Sequence, residues 1–129
     1  MSFSDEFYNS ETLLRGILPC FWSGEHNRPF SSAFKKKKEE YGGISVNRTG
    51  EDRKYYRESR ECLEKNPSGF KIIAELNVDL CRDLELCLKY CPTDDNIYHS
   101  EIHKSENEST LTQSIAKKLA EACECVAVS

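Results

Sequence analysis

Residues 70–90, F-K-I-I-A-E-L-N-V-D-L-C-R-D-L-E-L-C-L-K-Y, decide how much of this chain is sheet. Ile73, Leu76, Leu80 and Leu84 recur at helical spacing, whereas Leu84, Leu86, Leu88 and Tyr90 alternate as strand residues do. The pattern predicts a helix and then a strand that ends before Pro92, since proline has no backbone N–H to continue a ladder. Thr93-Asp94-Asp95-Asn96 reads as a turn, and residues 97–104 as the returning strand of a hairpin.

Outward from that stretch, Leu111, Ile115, Ala116, Leu119, Ala122 and Cys123 form a helical stripe with Lys117, Lys118, Glu121 and Glu124 opposite, which predicts a last helix packed on the sheet. Upstream, Thr49-Gly50-Glu51-Asp52 matches a helix-capping sequence, predicting a helix over 51–65 closed by Asn66-Pro67-Ser68-Gly69. Ile44-Ser45-Val46 reads as a short strand. Ser31 and Ser32 precede a run of helix formers over 33–41, with Gly42 and Gly43 as its stop. Its tetralysine, Lys35 to Lys38, followed by Glu39 and Glu40, is a solvated helix face. Residues 11–17 suit helix or strand until Pro19, and residues 1–9 read as a flexible arm. The sum is an α+β chain: a single compact domain over 1–129, a small sheet with about three to four helices packed on it.

At 129 residues the chain has the length of one domain and can bury roughly two thirds of its unfolded surface. A formal net charge of -4 argues against general nucleic-acid binding through phosphate neutralisation. Seven cysteines, Cys20, Cys62, Cys81, Cys87, Cys91, Cys123 and Cys125, lack the regular spacing of a disulfide framework. With Asp5 and Glu6 and no apolar run near Met1, the expectation is reduced thiols in a cytoplasm, with no membrane segment. No cofactor motif stands out, and no Cys-x-x-Cys pair anchors a metal site.

Two polar clusters carry chemistry-bearing residues. In the first, Gly24 to Val46, His26 can exchange a proton near neutral pH and Arg28 can clamp a phosphate or carboxylate. Ser31 and Ser32 stand where backbone amides at a helix start would add an anion-binding end. The structural alternative makes Arg28 a loop clamp and one serine a cap. In the second, His99, Glu101 and His103 share a face if residues 97–104 are a strand. The two histidines then stand about 13 Å apart, too far to share one metal ion.

The succession Arg28-Pro29-Phe30-Ser31-Ser32-Ala33-Phe34, Ile44-Ser45-Val46 and Asn96-Ile97-Tyr98-His99-Ser100-Glu101-Ile102, followed by the alanine-rich helix, resembles a family of small bacterial proteins. Its members show R-P-S-S-x-A-F, S-V and N-P-x-H-x-x-I in that order and have no assigned activity; the chain departs from the pattern at Phe30 and Ile97. The resemblance implies that the two clusters are parts of one fold. Leu14-Arg15-Gly16, Phe30-Ser31-Ser32 and His99-Ser100-Glu101 also resemble the motifs of ADP-ribosyltransferases, which run as an arginine on a first strand, a serine-rich strand and a glutamate. That likeness implies that Arg15 holds a dinucleotide phosphate, Ser31 supports the pocket and Glu101 stabilises positive charge developing on the ribose.

Two functions follow as expectations. The first is an accessory or interaction module of a bacterial conflict or regulatory system, holding a partner protein or a phosphorylated ligand through His26, Arg28, Ser31 and Ser32. The second is a small enzyme on a nucleotide-type substrate, with His26 or His99 as proton carrier, Arg28 as anion clamp and Glu101 as acid, base or charge stabiliser. An enzyme must gather these groups around one cleft, whereas a module leaves them on separate surfaces.

Overall fold

The computed structural model describes residues 3–35 and 42–128. In chain order these form β1 (Thr12–Ile17), a 3-10 turn (Pro19–Phe21), β2 (Trp22–Ser23), β3 (Arg28–Pro29), a second 3-10 turn (Ser31–Phe34), β4 (Ile44–Arg48) and a third 3-10 turn (Glu51–Arg53). Then come α1 (Tyr56–Glu64), β5 (Ile72–Asn77), α2 (Val78–Asp83), β6 (Cys87–Tyr90), β7 (His99–His103), α3 (Gln113–Ala122) and β8 (Glu124–Ala127). Six strands make one sheet in the order β6-β7-β4-β1-β5-β8, and β2 with β3 forms a separate hairpin. Every pairing is antiparallel. The class is α+β, with three α-helices among the described residues.

Residues 70–90 run strand, helix, strand, which corrects the predicted helix at their start. β5 is flanked by β1 and β8 and buried on both faces: Ile73 joins Leu14 and Leu63 on one side, Ala74 and Leu76 the main core on the other. A strand buried on both sides reads as a continuous apolar run and hides its period of two. Ile73 and Leu76 therefore mimicked a helical stripe by running into the short α2, which buries Val78 and Cys81. The expected hairpin of β6 and β7 forms, with Cys87 opposite His103 and Tyr90 opposite Ser100.

Two more predicted helices differ. Thr49 caps nothing: it is buried, its hydroxyl donating to Thr12 O at 2.7 Å and accepting from Thr12 N at 3.2 Å, so it ties β4 to β1. Asp52 and Arg53, at φ 53° and 60°, interrupt the helical path, and α1 starts only at Tyr56. Where a helix was expected over 33–41, the described part is the 3-10 turn Ser31–Phe34, with Lys35 already extended; residues 36–41, including Lys36 to Lys38, Glu39 and Glu40, lie outside the described residues.

The last helix forms as α3, its N-terminus capped by Thr112, whose Oγ1 accepts from Ile115 N at 3.2 Å. β8 follows it and was not foreseen. One face of the sheet packs Leu13, Ile17, Val46, Leu76 and Ile102 with Phe34, Ala116 and Leu119; the other packs Leu14 and Ile73 under Leu63 of α1. Residues 3–9, expected to be a flexible arm, are docked. The Ser4 and Glu6 carbonyls accept from Arg48 at 2.6 and 2.9 Å, and the Phe3 and Phe7 rings lie 4.5 and 4.2 Å from its guanidinium. Among the described residues no helix is long and apolar enough to cross a membrane.

Candidate functional site

β1 is in register with β5 over six pairs but with β4 only at Leu13↔Arg48 and Leu14↔Asn47. From Arg15 onward β1 stays with β5, while β4 continues in register with β7 through Ile44. The sheet therefore splits, and the split leaves a cleft of about 340 Å³ lined by Arg15, Gly16, Ser45, Asn47, Asn96 and His99, with Leu63 and Phe70 as its apolar wall. That volume suits a small ligand, and a few polar groups on an apolar wall are what such sites carry. Gly16 is needed because a Cβ there would stand 2.2 Å from the Phe70 ring. Arg15, 2% exposed, donates from Nε to Ala33 O and from Nη1 to Ser45 O, each at 2.7 Å, and so bridges the split.

His99 sits on the β7 side of the cleft. Its Nδ1 is 2.8 Å from Cys91 O, a carbonyl that can only accept, so Nδ1 carries the proton and Nε2 is left to accept from the Ser45 hydroxyl at 3.3 Å. Glu101 stands directly opposite Ser45 in the β4–β7 ladder. Its Oε1 accepts from His103 Nε2 at 2.7 Å and from Gly43 N at 3.3 Å. The alternation expected of a strand thus holds: His99, Glu101 and His103 share a face with Ser45 and Asn47. Asn47 is fixed in turn, donating to Ser59 O at 3.2 Å and accepting from Asn96 Nδ2 at 2.8 Å.

The first predicted cluster lies elsewhere. His26 is exposed in the turn between β2 and β3, its Nε2 4.0 Å from Glu25, and Arg28 is exposed on β3. Ser31 accepts from Gln113 Nε2 of α3 at 2.9 Å, and the Ser32 carbonyl accepts from Lys35 N at 3.3 Å. The expected anion-binding helix start is a four-residue 3-10 turn. Arg28 lines a groove with Ile72, Cys125 and Val126 beside β8. β8 and β7 are four strand steps apart, roughly 19 Å at about 4.8 Å per step. Arg28 therefore does not share a reaction centre with His99 and Glu101, and His26, Ser31 and Ser32 are not among the residues that line the His99 cleft.

Sequence reasoning passed over Ser45 and Asn47 as site residues, although the alternation in Ile44-Ser45-Val46-Asn47 puts two polar side chains on the face away from the main core. It also passed over the most buried ion pair of the chain's described part. Glu11 and Arg48, both with fully buried side chains, pair through Nε–Oε2 at 2.8 Å and Nη2–Oε1 at 3.0 Å, and Gly50 N donates to the same carboxylate at 2.8 Å. Among the described residues no group of three or more His, Cys, Asp or Glu side chains is placed to hold a metal ion. Burial pushes the Cys81 thiol up to about 12, which makes it inert.

Compared with protein-family models, with curated proteins and with solved structures, the chain matches none.

Proposed function

We propose that the protein is a small enzyme acting on a nucleotide-type substrate in the cleft at the β1–β4 split, in the manner of an ADP-ribosyltransferase. One observation carries this reading: Arg15, Ser45 and Glu101 lie on three neighbouring strands, β1, β4 and β7, in the chain order arginine, serine, glutamate. Ser45 takes the supporting place that the sequence motif offered to Ser31, because Ser31 is turned to α3. Arg15 lines the phosphate end of the cleft and Ser45 orients the substrate. The Glu101 carboxylate offsets positive charge developing on a ribose as its glycosidic bond lengthens. His99, with Nε2 as its acceptor, takes the proton of an attacking hydroxyl. Titration with NAD, followed by an assay for nicotinamide release, tests the proposal. Glu101→Gln should keep the melting temperature and NAD binding and lose turnover, whereas a wild-type protein that neither binds nor cleaves a dinucleotide sinks it.

A second reading, the interaction module, is favoured by the hairpin surface, where Phe30 is 48% exposed beside the exposed Arg28. An aromatic side chain next to an arginine is a common pairing at protein interfaces. A photo-crosslinker at position 30 should capture one discrete partner protein in cells, and Arg28→Ala should abolish the adduct. Capture from position 104 to the same extent excludes it.

A further inference from the structure

The chain reverses from α3 into the edge strand β8 through Cys123-Glu124-Cys125. Cys123 is extended at φ −69° and ψ 149°, and Cys125 lies in β8. In an extended chain, side chains two residues apart point the same way, and the two Sγ atoms stand 3.8 Å apart. Both sulfurs are half-buried and line a groove of about 480 Å³ together with Trp22, Arg28, Ile72 and Val126. Cys125 pairs across β5 with Ala74.

We propose that Cys123 and Cys125 form a thiol–disulfide exchange site whose substrates are the disulfides of small acidic thiols, admitted beside Arg28. The cleft at the β1–β4 split plays no part in it. Two residues along an extended chain set Cα atoms about 6.6 Å apart, at the long end of the roughly 4.4–6.8 Å that disulfides span. The pair can close, but the bond formed is readily reduced again, which suits exchange rather than bracing. The neighbouring Cys125 sulfur and burial raise the Cys123 thiol, which keeps its proton toward the Ala120 carbonyl at 3.5 Å, while the contact with Cys123 lowers the Cys125 thiol. The attacking and resolving sulfurs are thereby distinguished.

The steps balance. The Cys125 thiolate attacks one sulfur of the substrate disulfide, forming a mixed disulfide and expelling one thiolate. That thiolate takes the Cys123 proton, and the Cys123 sulfur attacks the Cys125 sulfur of the mixed disulfide. The second thiolate leaves and is protonated from solvent. The protein dithiol is oxidised by two electrons and the small disulfide is reduced to two thiols.

Glutathione disulfide is the acidic probe and 2-hydroxyethyl disulfide the uncharged one, with Trp22, the chain's single tryptophan, as a fluorescent reporter in the same groove. The wild-type protein should release two thiols per chain and yield a Cys123–Cys125 disulfide by peptide mapping, with a change in Trp22 emission. Cys123→Ser should stop at a stable mixed disulfide on Cys125, and Cys125→Ser should leave the pair unreactive. Arg28→Ala should slow the reaction with glutathione disulfide about fivefold or more and leave the uncharged probe unaffected. Adducts confined to the exposed Cys20, equal reactivity of the two serine variants, or an absent internal disulfide overturns the site. An Arg28→Ala effect equal on both probes overturns the preference for acidic substrates.

Discussion

Arg15 donates to the carbonyl of Ser45 at 2.7 Å across the place where β1 and β4 part. A split sheet leaves backbone acceptors without ladder partners, and an unsatisfied buried carbonyl is costly. The guanidinium fork meets one of them, Ser45 O, and at the same distance takes the carbonyl of Ala33 in the 3-10 turn, so it ties that turn to the split. Arg15→Ala should therefore destabilise the fold by about 2–4 kcal/mol. Arg15→Lys should recover only part of this, since an ammonium lacks the fixed fork that spans both carbonyls. Urea midpoints report the losses, and a Lys variant as stable as wild type would dismiss the bridging role.

Glu11 and Arg48 make a different prediction, because their side chains are wholly buried and every contact is internal. Removing one partner strands a charge, so Glu11→Leu or Arg48→Met alone should cost about 3–5 kcal/mol, and the double variant should be less destabilised than the sum. Arg48 also holds the Ser4 and Glu6 carbonyls. The Arg48→Met chain should thus be cut by protease within residues 3–9 faster than wild type. Unchanged cleavage there would mean that the aromatic contacts of Phe3 and Phe7 suffice.

The elements that could be read in the sequence are those with one buried face. α3 announced itself by a helical stripe, and β7 by an apolar side of Tyr98 and Ile102 after a turn, which also put His99, Glu101 and His103 on the other side. β5 was hidden because both of its faces are buried, and β8 because four residues after a helix carry little pattern. The cleft depends on where a register stops, at Leu14↔Asn47, and a register is a property of two strands far apart in the chain. Arg15 was legible only through a motif likeness, Ser45 only as a strand residue. The sequence density of His26, Arg28, Ser31 and Ser32 came from a hairpin and a turn, which collect polar residues for reasons of backbone geometry.

Tyr56 gives the pH dependence a sign. Its hydroxyl donates to the Glu75 carboxylate, which also pairs with Arg53 at 3.1 Å. Burial first, and then the bond to Glu75 and that carboxylate's negative charge, raise the phenol above its ordinary 10.0. The folded chain therefore holds this proton more tightly than the unfolded one. The stability it contributes is complete below pH 10.0 and is lost as pH climbs through the folded value. Tyr90 and Tyr98, both raised chiefly by burial, act in the same direction. Tyr56→Phe should flatten the fall in unfolding free energy above pH 10.0, measured by urea titration at several pH values, and should remove one late-titrating step from the tyrosinate absorbance. A slope identical to wild type would assign the alkaline loss to the other two tyrosines and to the Cys62, Cys81 and Cys91 thiols, which burial also raises.

Gly16 and Gly42 separate the stability of the cleft from its chemistry. A Cβ on Gly16 would meet the Phe70 ring at 2.2 Å, and that ring is part of the cleft wall. A packed aromatic has nowhere to go, so Gly16→Ala should cost about 1–3 kcal/mol. A Cβ on Gly42 would instead meet Oε1 of Glu101 at 2.1 Å, the far end of a side chain that can rotate away. Gly42→Ala should therefore change the melting temperature little while pulling Glu101 off His103, 2.7 Å away in the native arrangement. If Glu101 offsets charge in the cleft, turnover should fall at least tenfold, about 1.4 kcal/mol of barrier, in a protein that still binds substrate. A Gly42→Ala enzyme of full activity would show that the carboxylate's position does not matter to the reaction and would return Glu101 to a purely architectural pairing with His103.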